Sequence, residues 1–315
     1  MFMNIGLILI GLVALFAGGD ILVRGAVTLA RRLSISDALI GLTVVGFGTS
    51  MPELLVSLKA GLANQPAIAV GNAVGSNTAN ILLIGGITLL IAPFIPQSRA
   101  LKRDVLVALA IAVLLFAVAM TGAISRLIAT GLLLFLVAYL IYAYRDDSND
   151  AATLKDGGAQ PAISGKALGI AVVFVLAGFA LLFAGADWLV DGAVAIARDL
   201  GVPEAVIGLT IVAVGTSLPE LAASIAAAFR SRPDVAIGNI IGSNIFNIAA
   251  ILGITSLIIP LTIEPAIAQV DIPLMAVVTM IFAAFLFLRK SLGWMTGTAL
   301  LTVYATYTWY LYMVA

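Results

Sequence analysis

Cysteine and histidine are both absent from this chain of 315 residues. Without cysteine there are no disulfides, thiolate metal sites or thiol nucleophiles, and without histidine the usual zinc ligand and general base are missing. Charged residues make up only 10% of the sequence, against about 25% in soluble domains. The formal net charge of zero gives no sign of a nucleic-acid partner. An active site would have to use carboxylates or hydroxyls alone, and no recognised pairing of that kind is present. We therefore expect neither an enzyme nor a bound cofactor.

Apolar residues dominate instead. They form 62% of the sequence, against about 45–50% in typical domains, and the mean hydropathy is +1.18. An apolar run of about 20 residues is long enough to cross the hydrocarbon core of a bilayer. Such runs fall near 5–30, 38–60, 68–92, 104–121, 124–144, 167–196, 204–229, 235–259, 271–288 and 292–313. The sequence predicts an all-α integral membrane protein with about ten transmembrane helices in a lipid bilayer.

Two polar motifs each occur twice within these apolar runs. GLTVVGFGTSMPE at 41–53 returns as GLTIVAVGTSLPE at 208–220, and GNAVGSNTAN at 71–80 returns as GNIIGSNIFN at 238–247. The offset between the copies is 167 residues, the separation of Glu53 from Glu220. Two motifs in the same order at one offset indicate an internal duplication.

The segment between the copies is rich in charge, Gly, Pro and Ser, a composition typical of a solvated connection. It runs from about Tyr144 to Lys166. We expect a first five-helix repeat at 1–145, a linker at 146–165 and a second five-helix repeat at 166–315.

The distribution of Lys and Arg predicts the orientation, because these residues favour the cytoplasmic side. With the N-terminus outside, Lys59, Arg126 and Arg198 lie on the far side and twelve other basic residues lie in or beside the cytoplasm. The twelve are Arg31, Arg32, Arg99, Lys102, Arg103, Arg145, Lys155, Lys166, Arg230, Arg232, Arg289 and Lys290. We expect both termini to be extracytoplasmic and the linker to be cytoplasmic, in the cell (inner) membrane. Five spans per half is an odd number, so the two repeats are inverted.

The first motif places oxygen atoms in the membrane. Proline has no amide hydrogen and clashes with the carbonyl four residues earlier, so Pro52 should free the carbonyl of Gly48, and Pro219 that of Gly215. Residues three and four apart share a helix face, which puts Thr49 and Ser50 beside Glu53. The second half repeats this arrangement with Thr216, Ser217 and Glu220. Carboxylates, hydroxyls and carbonyls are the ligands preferred by hard cations such as Ca²⁺.

The second motif adds a polar stripe to the next helix of each half. Its members recur every four residues and are Asn72, Ser76, Asn80, Asn239, Ser243 and Asn247. A stripe of amides and hydroxyls facing lipid would lack hydrogen-bond partners, so we expect it to face the protein interior or a water-filled path. Inverted repeats with interrupted helices are typical of secondary transporters, whose substrates bind near the bilayer midplane.

The paired G-T-S-x-P-E and G-N-x-x-G-S-N-x-x-N segments resemble the two alpha repeats of the cation/calcium exchanger superfamily, specifically its compact prokaryotic sodium/calcium exchangers. The resemblance covers about 20–93 and 187–260. It implies the sodium/calcium exchanger fold, a functional monomer, and Ca²⁺ and Na⁺ as the transported ions. It further implies that the long first and sixth helices form a mobile gating pair.

The resemblance also implies a ligand set. Glu53 and Glu220 would be the central carboxylate ligands, while hydroxyl or backbone oxygens would come from Thr49, Ser50, Thr216 and Ser217. The remaining ligands would be Ser76, Asn80, Ser243 and Asn247. Several similar exchangers carry an aspartate at a position matching Asn80 or Asn247, whereas both are asparagine here. Two ionised glutamates balance one Ca²⁺ or two Na⁺, and a third Na⁺ would leave an uncompensated charge in a low-dielectric site.

Three functions are compatible with the sequence. The first is an antiporter that exchanges Ca²⁺ for Na⁺ by alternating access. The second is an antiporter of the same build that uses protons or also requires K⁺. The third is a cation channel, although a channel would more naturally show a continuous filter or an oligomeric ring of ligands.

Overall fold

The computed structural model describes residues 2–33, 35–96, 98–154, 165–200, 213–288 and 291–314. In the first half, helices and one short strand follow in order. They are α1 (Phe2–Leu33), α2 (Asp37–Thr49), α3 (Met51–Leu62), α4 (Pro66–Ile91), α5 (Arg99–Ala119), β1 (Ala123–Ile124) and α6 (Arg126–Leu154).

The second half repeats the order of the helices over its described residues, but its strand comes before the last two helices rather than between them. Its elements are α7 (Gly165–Asp199), α8 (Ala213–Thr216), α9 (Leu218–Phe229), α10 (Pro233–Ile258), β2 (Leu261–Thr262), α11 (Ile267–Leu288) and α12 (Trp294–Val314). Residues 201–212, which hold the start of the second copy of the first motif, lie outside the described residues. The strands β1 and β2 pair antiparallel, with Ala123 opposite Thr262.

The predicted helical membrane architecture is confirmed. Within the described residues, six helices are long and apolar enough to cross a membrane, and the number is seven when the bent pair α2 and α3 is counted as one span. Three further predicted spans fall outside this group. They are α5, which begins with Arg99, Lys102 and Arg103; α12, which is rich in Thr and Tyr; and 204–229, whose first part is not described.

α1 and α7 occupy equivalent places in the duplication and lie side by side in opposite directions. Gly11 of α1 meets Gly185 of α7, and Gly25 meets Ala171, so contacts advance along one helix as they retreat along the other. A Cβ atom added at Gly18 would lie only 2.9 Å from the Cβ of Leu181. Because equivalent helices run antiparallel, the two halves are inverted relative to each other.

The predicted break at the first motif is confirmed. α2 and α3 meet at an angle of 44°, and Ser50 between them has a non-helical backbone (φ −81°, ψ 7°). Ser217 separates α8 from α9 with nearly the same angles (φ −90°, ψ 5°). Pro52 and Pro219 lie in the first turns of α3 and α9, where their missing N–H groups would have no helical partner in any case. Each half therefore turns its chain two residues before the proline of the proline-glutamate pair.

The last helix of the first half extends into the predicted linker. α6 continues to Leu154, so residues 146–154 of the predicted linker are helical. Two contacts hold this extension: Arg103 binds Asp146 at 2.7 Å, and the Asp147 carboxylate accepts a hydrogen bond from the backbone N–H of Ser36. These tertiary contacts outweigh the polar composition. Residues 155–164 lie outside the described part of the chain.

The glycines of the second motif in α10 are packing residues, as expected of a small-xxx-small pattern. A Cβ atom added at Gly238 would lie 2.5 Å from the carbonyl oxygen of Ala38, and one at Gly242 would lie 2.3 Å from that of Leu42. α2 therefore crosses α10 with main chain against main chain. This contact brings the first motif of one half against the second motif of the other.

Candidate cation-binding site

Two buried glutamates, one from each half, form the centre of the site. Glu53 in α3 and Glu220 in α9 are each 1% exposed. The hydroxyl of Ser217 donates to Glu53 Oε1 (3.3 Å), and that of Ser50 donates to Glu220 Oε1 (3.0 Å). The two bonds are related by the offset of the duplication, so the site has a local two-fold symmetry.

These bonds correct the grouping that helical spacing suggests. Ser50 was expected beside Glu53 on its own helix, yet its hydroxyl binds the glutamate of the other half. The break at Ser50 turns the residue out of the helical series, so the rule for positions three apart does not hold across it. Thr49 likewise lies beside Glu220, and Thr216 lies beside Glu53. Each carboxylate therefore accepts a serine hydroxyl from the opposite half and lies beside a threonine of that half.

Asn72 and Asn239 fix the glutamate-bearing helices. The Asn72 amide donates to the backbone carbonyl of Glu53 (3.1 Å) and to Ser57 Oγ (2.9 Å). Asn239 makes the equivalent bonds to the carbonyl of Glu220 (3.2 Å) and to Ser224 Oγ (2.9 Å). The NH₂ groups of the first stripe residues thus hold the backbone in place, rather than facing the carboxylates.

The remaining stripe residues lie deeper in α4 and α10. Ser76 is buried, and Ser243 donates to the carbonyl of Gly46 at 3.3 Å. Asn80 and Asn247 are each 1% exposed, and each begins a π-helical stretch, Asn80–Ile84 and Asn247–Leu252. Single π-helical turns inside α-helices occur frequently at functional sites. The expectation that the stripe faces the protein interior agrees with this burial.

Eight buried side-chain oxygens lack a hydrogen-bond partner among the described atoms. Four of them belong to the two duplicated motifs and form two symmetry-related pairs. They are Glu53 Oε2, Glu220 Oε2, Asn80 Oδ1 and Asn247 Oδ1. A buried polar atom without a partner costs about 1–3 kcal/mol, and more when charged. Two carboxylate and two amide oxygens are suitable ligands for a hard cation. Within the described residues no group of three or more acidic residues could hold a metal ion, so the donors here are necessarily mixed.

Gly48 and Gly215 are covered by side chains of α7. A Cβ atom at Gly48 would lie 1.9 Å from the ring of Phe179, and one at Gly215 would lie 2.4 Å from Val190 Cγ2. An added methyl group at either place would force the facing side chain of α7 to rotate away. That their carbonyls act as cation ligands stays a prediction.

Sequence reasoning assigned no role in the site to Gly46, Asn77 or Asn244. The Gly46 carbonyl accepts bonds from Ser243 and from Thr49 (3.3 Å), although the proline rule points to Gly48 instead. Asn77 and Asn244 contact Asn247 and Asn80. The one available signal was an asparagine at the same off-stripe position in both halves.

We expect Ser50→Ala and Ser217→Ala to weaken cation binding by similar, moderate amounts, about 3–10-fold each, because each removes one hydrogen bond to a carboxylate oxygen. Isothermal titration of the purified protein with Ca²⁺ measures this. Ser98→Ala, which removes only the N-cap of α5, is the control. Unequal effects of the two variants would contradict the two-fold symmetry of the site.

Two inverted halves, a helix broken beside each buried glutamate and a shared set of oxygen donors define a class of protein. They are the features of a secondary transporter that binds cations between inverted repeats.

Comparison with known proteins narrows this class. The model of the family described as sodium/calcium exchanger protein matches residues 3–145 and 170–313. The chain is 37% identical over 298 residues to the inner membrane protein YrbG of Escherichia coli, covering 92% of this chain and 90% of YrbG. It is 33% identical over 327 residues to the sodium/calcium exchanger MaX1 of Methanosarcina acetivorans, covering 92% of each. A solved structure of the sodium-calcium exchanger NCX_Mj superposes with a TM-score of 0.85 at 32% identity over 97% of each chain. The chain belongs to the sodium/calcium exchanger family.

Proposed function

We propose that this protein is a secondary active antiporter that exchanges Ca²⁺ for Na⁺ across the membrane by alternating access. The observation that carries the proposal is the pair of buried glutamates, Glu53 and Glu220, each with one oxygen that has no partner in the described structure. MaX1 is named a sodium/calcium exchanger, and NCX_Mj has been solved after soaks with Na⁺, Ca²⁺ and Sr²⁺. The proposed ligands are Glu53, Glu220, Thr49, Ser50, Thr216, Ser217, Ser76, Asn80, Ser243 and Asn247, with the carbonyls of Gly48 and Gly215.

The buried charge couples the two ion flows. Two bare carboxylates in a low-dielectric site are strongly unfavourable, so the empty carrier resists passing through an occluded state. One Ca²⁺ or two Na⁺ neutralise both glutamates. Since the same oxygens bind either cation, the carrier switches between its inward-facing and outward-facing states only when Ca²⁺ or Na⁺ is bound. The exchange needs no cofactor and no enzymatic step.

Unequal packing at equivalent positions supports alternating access. In α1, Gly19 packs against the Ala222 carbonyl of α9, where an added Cβ atom would lie at 2.7 Å, and Asp20 forms an ion pair with Arg230. The counterpart of Ala222 in α3 is Leu55, which is 53% exposed. A carrier in one of its two facing states has one end closed and the other open, and this difference in packing supports that proposal. We propose that α1 and α7 slide against the core to exchange these two arrangements.

The proposed placement in the membrane rests on the charge distribution and the duplication. Both termini are extracytoplasmic, the linker is cytoplasmic, and the membrane is the inner membrane, as the name of YrbG states for that protein. The repeats comprise residues 1–145 and 166–315, joined by the linker 146–165. Each chain carries both halves of its site, so one chain in a lipid bilayer is proposed to be the working unit.

Uptake of radiolabelled Ca²⁺ into proteoliposomes tests the function. With Na⁺ inside, none outside and the proton gradient collapsed by an ionophore, we expect uptake that is absent from vesicles loaded with K⁺. Uptake that requires a proton or K⁺ gradient instead would assign the protein to the second class, the antiporters that use protons or also require K⁺. Unitary currents in planar bilayers would indicate a channel and overturn exchange.

The number of Na⁺ ions exchanged follows from the charge of the site. We expect the Na⁺ dependence of Ca²⁺ transport to show a Hill coefficient of no more than about 2, because two carboxylates cannot compensate a third cation in a low-dielectric site. A measurement of reversal potential in the same vesicles gives an independent value for the stoichiometry. A Hill coefficient clearly above this limit would contradict the charge argument.

A further inference from the structure

Asn77 and Asn244 form a reciprocal pair at the crossing of α4 and α10. They are 2% and 3% exposed. The side-chain amide of Asn77 donates to the backbone carbonyl of Asn244 (3.1 Å), and that of Asn244 donates to the carbonyl of Asn77 (3.2 Å). The pair lies on the local two-fold axis, because the two residues are equivalent in the duplication.

The two carbonyls fix which way each of these amides points. A backbone carbonyl oxygen can only accept a hydrogen bond, so Asn77 and Asn244 must each turn an NH₂ group toward it. Their own side-chain oxygens are then left to accept bonds from the neighbours. Asn77 Oδ1 accepts from the NH₂ of Asn247 (2.9 Å), and Asn244 Oδ1 accepts from the NH₂ of Asn80 (3.0 Å).

The orientation of Asn77 and Asn244 also fixes the orientation of the Asn80 and Asn247 amides. Since the NH₂ group of each is engaged by an acceptor, its carbonyl oxygen has to point the other way. These two oxygens are buried and have no partner among the described atoms, as are Glu53 Oε2 and Glu220 Oε2. If either amide rotated by a half turn, an NH₂ group would replace the oxygen. That group would be a hydrogen-bond donor, which cannot serve as a cation ligand.

We propose that Asn77 and Asn244 are positioning residues that hold the amides of Asn247 and Asn80 with their oxygens, rather than their NH₂ groups, toward the cation. This inference rests on the proposed function of the site. Each orienting residue belongs to the half opposite the ligand it orients: Asn77 of the first half sets Asn247 of the second. The four amides therefore tie α4 and α10 into one unit, so the ligands of both halves keep their geometry together.

A double-mutant cycle tests the pairing. Ca²⁺ binding to the purified full-length protein in Na⁺-free buffer is measured by isothermal titration. We expect Asn77→Ala to weaken binding about 10-fold or more, the usual effect of removing a group that orients a metal ligand. In the Asn247→Ala background the same change should cost less than about 2-fold, because the amide to be oriented is gone.

The chain supplies a matched control within the same ring. Asn80 is held by Asn244 and not by Asn77, so Asn77→Ala should keep most of its 10-fold effect in the Asn80→Ala background. The mirror cycle exchanges the roles: Asn244→Ala should be coupled to Asn80→Ala and nearly independent of Asn247→Ala. If Asn77→Ala does not fold, the mirror cycle tests the same inference on the symmetry-related pair.

Two outcomes overturn the inference. In the first, Asn77→Ala lowers the Ca²⁺ affinity by the same factor in the Asn247→Ala background as in the Asn80→Ala background. A purely structural role for Asn77 predicts this result. The other is unchanged binding in both Asn77→Ala and Asn244→Ala. If the wild-type protein binds no Ca²⁺, the proposed function fails, and the same cycles on melting temperature in chelator still decide the pairing. There, additive losses for Asn77→Ala and Asn247→Ala would overturn it.

Discussion

Replacing Glu53 with Gln, or Glu220 with Gln, is expected to abolish Ca²⁺ uptake while leaving a folded protein. Each substitution keeps the size of the side chain and removes one of the two negative charges that a Ca²⁺ ion needs. Breaking a buried charge pair from one side costs about 3–5 kcal/mol, which corresponds to a loss of affinity of about 100-fold or more. Because the site is symmetric, the two variants should fail to similar extents. Radiolabelled Ca²⁺ uptake into proteoliposomes measures the loss.

Melting temperature separates this effect from misfolding. Without cations, each Gln variant should melt no lower than the wild type, because the substitution removes a buried negative charge that has no bound cation to compensate it. Addition of Ca²⁺ should stabilise the wild type and not the variants, since only a bound ligand raises the melting temperature. Glu264→Gln, a change at an exposed residue, should behave as wild type in both measurements. Normal uptake by either site variant would refute the assignment of the glutamates.

The sequence is sufficient to predict the main features of the fold and the central residues of the site. The duplication and the prolines at 52 and 219 predict the breaks seen at Ser50 and Ser217. A carboxylate inside an apolar span is costly unless it has a use, which identifies Glu53 and Glu220 before any coordinates are known. These inferences are local, or depend on the comparison of one half with the other.

Contacts between the halves could not be predicted in the same way. Helical spacing relates Ser50 to Glu53, while the bond to Glu220 depends on how two distant segments pack. The spacing of Gly238 and Gly242 predicts that α10 packs closely against another helix, but not that this helix is α2, whose Gly46 carbonyl accepts a bond from Ser243. The extension of α6 to Leu154 likewise depends on Arg103 and on the backbone of Ser36. In each case a tertiary partner, absent from any local window, decides the outcome.

Gly242→Ala is expected to destabilise the protein severely, because the added methyl group would lie 2.3 Å from the carbonyl oxygen of Leu42 and 2.7 Å from its Cα atom. Both are backbone atoms, so no side-chain rotation can relieve the clash and α2 has to move away from α10. Overpacking of this kind costs about 1–3 kcal/mol and sometimes more, and we expect the upper end here. The melting temperature of the purified protein in chelator measures the effect.

Gly253→Ala on the same helix is the matched control. There the added methyl group meets the side chain of Leu133 at 3.1 Å, which can rotate away, so a small loss of stability is expected.

The two variants should also differ in Ca²⁺ binding. α2 carries Gly46 and Thr49, and α10 carries Ser243 and Asn247, so any separation of these helices pulls apart donors of opposite halves. Gly242→Ala should therefore weaken Ca²⁺ binding even at temperatures where the protein remains folded, whereas equal behaviour of the two variants would contradict the role of this crossing in the site.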